Sequence, residues 1–417
     1  MNVSLYLSVR NILSTLFACL LLVYPAMGWA QQKGPDFHGI ASVVHDVVAE
    51  DGAHLKVFEL AGNEGSSKVV FLMHGLLESA NILDGVAADW HARGYKVVIG
   101  QYRLAGFGRF RSGGGPRNGL YESLRYDWIA GFRKTMEIAG GRLISAFGHS
   151  MGGLGAAVAL SNPKLAAEIV PHLEGVTMAN TPFDFEDGAP ALRLMARTFV
   201  PVLKAVIARD SVDPLSTLVE FLANLKASRN PVVRASGRMV EKKLLQLTAI
   251  IMSRTLIDTE HLSLEAQERI YKEEISQVPV QVLLDFIEAY GNGQLLDRDG
   301  KPLLTPEDIT VPTQVVVAEK DTLATPRSMR GFFNRLGSRL KRLITVENSK
   351  HVSIVVVDHP AGNVVPEVIN FHDVPNGTAK PTAEIVVTPG KKYDTRYTVR
   401  LASPGKGCLG PVRVFIN

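Results

Sequence analysis

Residues 142–160 read RLISAFGHSMGGLGAAVAL: a short apolar run, a serine set among glycines 148, 152 and 153, and an alanine-rich run. The first run predicts a buried strand and the last a helix, which puts Ser150 at a strand-to-helix turn. The pattern G-x-S-x-G within it is weak evidence by itself in a chain holding 37 glycines. Its position carries the meaning. A turn this sharp forces strained backbone angles on the serine, and Gly148 and Gly152 remove the Cβ atoms that would collide there.

The flanking sequence repeats one rhythm. ASVVHDVVAEDGAHLKVFELAG (41–62) predicts two strands around the Asp51-Gly52 turn. KVVFLMHG (68–75) is a continuous apolar run, as expected of a strand covered on both faces, and NILDGVAADWHARG (81–94) follows with helical spacing. The strand YKVVIGQYR, the helix YESLRYDWIAGFRKTMEIAG, the strand LISAFG, the helix GLGAAVALS and the strand GVTMANTP continue the alternation. Strand alternating with helix predicts a mostly parallel sheet with helices on both faces.

From residue 186 to 300 the pattern turns helical, in segments such as APALRLMARTFVPVLKAVIAR and QVLLDFIEAYGNG, and reads as a helical cap insertion. The alternation resumes with TQVVVAEKD, SMRGFFNRLG, KRLITVENS and PEVINFHD, and short β segments follow beyond about 375. The expected organisation is therefore a leader at 1–30, a core at 31–185, the cap at 186–300, the rest of the core at 301–374 and a β-rich C-terminal extension at 375–417.

Composition bounds the partners. With 417 residues, 46% hydrophobic and 21% charged, the chain is globular, and 45 basic against 41 acidic residues are mixed without blocks, so nothing calls for nucleic acid. Residues 1–30 have the layout of a secretory signal peptide: one charge at Arg10, an apolar core and small residues up to Ala30. The apolar stretch at 12–24 is shorter than the ~20 residues that span a bilayer. Cleavage after Ala30 and export to a periplasmic or extracellular space are expected, with an uncleaved anchor or a lipidated Cys19 as the alternatives. Cleavage would leave Cys408 as the single cysteine and exclude an intramolecular disulfide.

A serine hydroxyl is a poor nucleophile until a base takes its proton, and the base must be oriented by a carboxylate. Asp321 follows the strand TQVVVAEK and His351 follows RLITVENSK, so Ser150, Asp321 and His351 come in the order that a strand-to-helix serine demands. Glu319 competes for the acid's role, and His359 and His372 for the base's. Two backbone amides should meet the negative charge that develops on an attacked carbonyl. Met151, the first residue of the helix, supplies one, and Leu76 in the loop after KVVFLMHG the other. His74 and His149 read as structural neighbours of this chemistry.

The segments MHGLLES, GHSMGG, VPTQVVVAEKDTLATP and SKHVS resemble those of α/β-hydrolase-fold serine hydrolases. The likeness is closest to the lysophospholipase and monoacylglycerol-lipase-like branch, which also contains serine aminopeptidases. It spans about 40–185 and 300–375 and implies a nucleophile at Ser150, an acid at Asp321 and a base at His351. The pattern Asp-x-Arg-Gly-His-Gly of the family is broken by Gln101, Ala105 and Phe107.

No cofactor is expected, and no metal, since no H-E-x-x-H is present. Glycines 113–115 read as a flexible loop, because no Gly-Lys-Ser/Thr follows them. Arg103, Arg109, Arg111 and Arg117 read as a solvated basic loop, with attraction of an anionic head group as the alternative. The cap is rich in Leu, Val, Ile, Met and Phe, which suits internal packing or an acyl-chain pocket. The expected activity is cleavage of a small-molecule acyl ester or lipid, with room for peripheral membrane contact. Peptide or amide cleavage, and a binding protein with a relict site, are the rivals.

Overall fold

The computed structural model describes residues 36–186, 262, 269–270, 274, 276, 280–356, 364–373, 383–388, 396–401 and 412–414. The leader, most of the expected cap and His359 lie outside them. Twelve strands are described: β1 (Asp36–Phe37), β2 (Ile40–Val48), β3 (His54–Leu60), β4 (Val69–Met73), β5 (Lys96–Gly100), β6 (Ile144–His149), β7 (Leu173–Ala179), β8 (Thr313–Ala318), β9 (Lys341–Val346), β10 (Ala383–Thr388), β11 (Arg396–Leu401) and β12 (Val412–Val414). They form one sheet in the order β1-β2-β3-β5-β4-β6-β7-β8-β9-β10-β11-β12.

The sheet is parallel from β5 through β10 and antiparallel at both ends. The expected hairpin is present as β2 and β3, with Gly52 at φ +85° in its turn. The C-terminal segments do not stand apart from the sheet. β10 lies parallel to β9, pairing Ala383 with Arg342 and Val387 with Val346, and β11 and β12 return antiparallel beyond it.

The central strands are apolar along their whole length because each side chain meets helices on one face or the other. In β4, Val69, Phe71 and Met73 enter one core, and Val70 and Leu72 enter the second across the sheet. The first core is packed by α2 (Trp128–Ala139), α3 (Met151–Ser161) and α5 (Val280–Asn292), through Trp128, Phe132, Leu154, Phe286 and Tyr290. Phe71 meets Trp128 edge-on at 5.5 Å, and Trp128 stacks on Phe132 at 5.1 Å. The second core is packed by α1 (Asp84–Ala92) and α7 (Val365–Asp373), through Trp90, Val368 and Ile369. A short α4 (Pro163–Ile169) follows α3, with Asn162 accepting from the Leu165 amide at its start. α6 (Pro326–Arg335) lies between β8 and β9.

α3 is buried at every position, which explains its small residues: a helix enclosed on all sides must let its neighbours approach its backbone. A Cβ at Gly155 would lie 2.8 Å from Tyr102 Oη and 3.0 Å from Trp128 Cδ1.

One expectation of the basic loop is corrected. Arg103 is not solvated but fully buried. Its Nε lies 3.0 Å from both Asp127 oxygens, its Nη1 donates to Asp51 at 2.8 Å and to the Arg117 carbonyl at 2.6 Å, and its Nη2 donates to Asp127 at 2.6 Å. Burial opposes its charge, yet these two carboxylates hold the guanidinium above its usual pKa. Arg103 thereby fastens the β2–β3 turn to the approach of α2, and it is spent on the fold. A planar five-donor fork suits this task where a lysine would not. Arg109, Arg111 and Arg117 are exposed.

Candidate active site

The C-terminal ends of β4, β6, β7, β8 and β9 converge on one place. Ser150 stands between β6 and α3 at φ +50°, ψ −116°, a backbone region that non-glycine residues rarely occupy. The strain is held by bonds on both sides: the Ser150 amide donates to the Ala179 carbonyl at 2.8 Å, and the Leu154 amide donates to Ser150 O at 3.0 Å. The glycines allow the chain to cross itself. A Cβ at Gly148 would lie 2.4 Å from the Gly152 carbonyl carbon, one at Gly152 would lie 2.1 Å from Met73 O, and one at Gly153 would lie 2.1 Å from Thr181 Oγ1.

Three residues far apart in the chain meet here. Ser150 Oγ lies 2.9 Å from His351 Nε2, and His351 Nδ1 lies 2.7 Å from Asp321 Oδ2. Asp321 in turn accepts from the Leu323 and Ala324 amides at 2.8 and 2.9 Å through its other oxygen. An acceptor carboxylate at Nδ1 assigns the proton to that nitrogen and leaves Nε2 free to accept the serine proton. All three side chains are buried.

The competitors sit elsewhere. Glu319 is exposed and accepts from the Asn348 amide at 2.9 Å. His372 is buried on α7 against the middle of β7, 2.9 Å from Thr177 Oγ1 and beside Trp90. Glycines 113–115 pack beside Ala53 and His54, with the Gly115 amide donating to Asn118.

Met151 opens α3, and among the described residues its amide and that of Leu76 have no hydrogen-bond partner. The loop bearing Leu76 touches the serine, since a Cβ on Gly75 would lie 2.9 Å from Ser150 Cβ. Leu76 and Met151 line one small cleft, together with the apolar Leu77, Ala105 and Val282 and the polar Glu78 and Tyr102. The loop is pinned by His74, whose ring lies 2.8 Å from the Gly75 carbonyl at Nδ1 and accepts from the Tyr102 amide at Nε2, 3.2 Å away. Burial pushes the His74 pKa down to about 4, so the ring is neutral and suits one donor and one acceptor bond. Leu77 takes φ +64°, and the loop is tied to the segment before α5 by Ser79 N to Glu274 O and Ser276 N to Leu77 O, at 2.9 and 2.8 Å.

Two participants escape a reading of the sequence. Asn180, at φ +45° just past β7, donates to the His351 carbonyl at 2.5 Å and accepts from the Ala318 amide at 2.8 Å. Glu78 is buried against His149 and the Gly75 amide. The one signal for Asn180 was an asparagine directly after a buried strand, where a left-handed residue is common. Glu78 offered none beyond closeness to His74-Gly75. Among the described residues no cluster of side chains could hold a metal ion.

Residues 65–268 match the family model described as serine aminopeptidase, S33. A search of curated proteins returns no match. Among solved structures, the chain is similar to an esterase from Rhodococcus sp., at 14% identity and TM-score 0.50, over 80% of this chain and 99% of that one. It is also similar to a thermophilic esterase from Thermogutta terrifontis, at 15% identity and TM-score 0.48, over 80% and 100% of the two chains. The likeness to the Rhodococcus protein is one of fold.

Proposed function

We propose that this chain, a serine hydrolase of the α/β-hydrolase fold, cleaves carboxylic esters through an acyl-enzyme on Ser150. The observation that carries the reading is the chain of contacts from Ser150 Oγ to His351 at 2.9 Å and on to Asp321 at 2.7 Å. Ser150 Oγ attacks the ester carbonyl while His351 Nε2 takes its proton, and Asp321 stabilises the imidazolium that forms. The Leu76 and Met151 amides receive the developing oxyanion. His351 then protonates the leaving alkoxide and activates the water that releases the acid. None of these steps requires a cofactor.

The acyl group is read from the apolar side chains of Leu76, Leu77, Ala105, Met151 and Val282, which line the small cleft beside Met151 together with the polar His74, Glu78, Arg103 and Ser123 and which a bound acyl chain would have to part. Each buried methylene contributes about 0.8 kcal/mol, or about fourfold in kcat/KM. A p-nitrophenyl ester series is therefore expected to show kcat/KM rising with acyl length over short chains. A flat series would remove the acyl pocket. One observation favours a second reading, amide or peptide cleavage: the matching family model is that of serine aminopeptidases. Aminoacyl arylamides assayed beside the esters decide between the two, and faster arylamide turnover would replace the first reading by the second.

We further propose that the protein is exported, on the strength of the leader composition of residues 1–30. Mass spectrometry of the protein recovered outside the cytoplasm is expected to find Gln31 at its N-terminus. Recovery with Met1 intact would rule out cleavage, and a lipid on Cys19 would replace it by anchoring.

A further inference from the structure

A second histidine–carboxylate pair lies directly behind Ser150. His149 precedes the serine in the chain and is completely buried, with its ring centroid 5.2 Å from that of His351. Both of its nitrogens face acceptors. Nδ1 lies 3.0 and 3.1 Å from the two Glu78 oxygens, and Nε2 lies 3.0 Å from the His351 carbonyl. A neutral ring has one proton and could satisfy only one of these contacts; an imidazolium satisfies both. The carboxylate opposite supplies the counter-charge that burial would otherwise forbid. Glu78 also accepts from the Gly75 amide, closing the turn at 75–78 whose Leu76 lines the cleft.

We propose that Glu78 and His149 form a buried carboxylate–imidazolium clamp that positions the Leu76 loop and the His351 loop relative to one another. The proposal rests on the reading of Ser150, His351 and Asp321 as the reacting constellation. Glu78 is buried at the lining of the cleft beside Leu76, and His149 is buried completely. Glu78 sets the turn that carries the Leu76 amide, and His149 holds the His351 backbone through its carbonyl, while Asp321 holds the ring. Asn180 donates to the same His351 carbonyl, so that loop is gripped by two donors, one at the end of β6 and one just past β7. The other titratable groups that face the pair are His74, which burial keeps neutral, and Asp321. Burial alone would neutralise both partners. Their mutual attraction, together with the bonds to the Gly75 amide and the His351 carbonyl and the charges around them, outweighs it, holding Glu78 below the usual glutamate pKa and His149 above the usual histidine value.

The test compares Glu78→Ala with Glu78→Gln in the full chain. A carboxamide can still accept from the Gly75 amide and donate to a neutral His149 ring, whose remaining proton bonds the His351 carbonyl. Glu78→Ala is expected to lower kcat by about 10- to 100-fold with KM changed less than about twofold, because misplaced reacting groups cost turnover more than binding. Glu78→Gln should recover about tenfold of that loss. In 15N-histidine-labelled protein, with the signal assigned by its loss in His149→Asn, His149 should carry both ring protons in the wild type and one in Glu78→Gln. A singly protonated His149 in the wild type, Glu78→Ala within twofold of wild-type kcat, or Glu78→Gln no better than Glu78→Ala would each overturn the clamp. Should Glu78→Ala fail to fold, the protonation state of His149 in the wild type and in Glu78→Gln decides alone. That readout is independent of turnover: a wild type inert toward esters, arylamides and fluorophosphonates would refute the catalytic reading, while the ring protons would still report on the clamp.

Discussion

Replacing Ser150 by alanine is expected to lower ester turnover by about 10⁴- to 10⁶-fold and to abolish labelling by a fluorophosphonate probe, with the fold intact. The size of the loss follows from what the substitution leaves. His351 and Asp321 keep their contact, and the Leu76 and Met151 amides remain, but no oxygen is left to form the acyl bond. Stability should change by no more than about 1 kcal/mol. Among the described residues the hydroxyl makes one hydrogen bond, to His351, whereas the turn is held by the Ser150 amide and carbonyl. Circular dichroism and urea unfolding check the second half of the prediction, and rates with a p-nitrophenyl ester check the first. Labelling that persisted in Ser150→Ala would place the nucleophile elsewhere.

Much of this site is legible in the sequence because backbone geometry demands it. The bend at Ser150 cannot be made without small residues at 148, 152 and 153, so its glycines announce the turn before any partner is known. Asp321 and His351 follow from chain order, since each comes directly after an apolar strand that must end at the same sheet edge. The central strands are equally plain: β4 has no polar residue because it is covered on both faces.

What stays hidden is long-range polar contact, which leaves no local period. Glu78 lies 71 residues from His149, and Asn180 lies 171 from His351; neither separation can be read from residue type. Arg103 is misleading for the same reason. A basic residue among other arginines looks solvated until Asp51 and Asp127 are found around it. α4 is a different omission, since Asn162-Pro163 is an ordinary helix start, overlooked because the helix is only 7 residues long.

Gly152→Ala is expected to destabilise the protein by more than about 3 kcal/mol and to reduce turnover in whatever fraction still folds. The added Cβ would meet Met73 O at 2.1 Å, Met73 C at 2.7 Å and His74 O at 2.8 Å, all backbone atoms at the end of β4. A flexible side chain could swing aside; a strand bonded to β5 and β6 on either side cannot. Relief must come from moving α3 away from β4, which separates Ser150 and the Met151 amide from the Leu76 loop. Stability and catalysis should therefore fall together. Gly331→Ala in α6 supplies the contrast, because nothing lies within 4 Å of its added Cβ and the position is exposed. There alanine should stabilise by about 0.5–1 kcal/mol through its better helix propensity. Urea unfolding of the two variants, with turnover measured on each, separates a steric requirement at residue 152 from a general intolerance of alanine for glycine. A Gly152→Ala protein as stable and active as the wild type would mean that the helix and the strand do not approach as closely as the glycines imply.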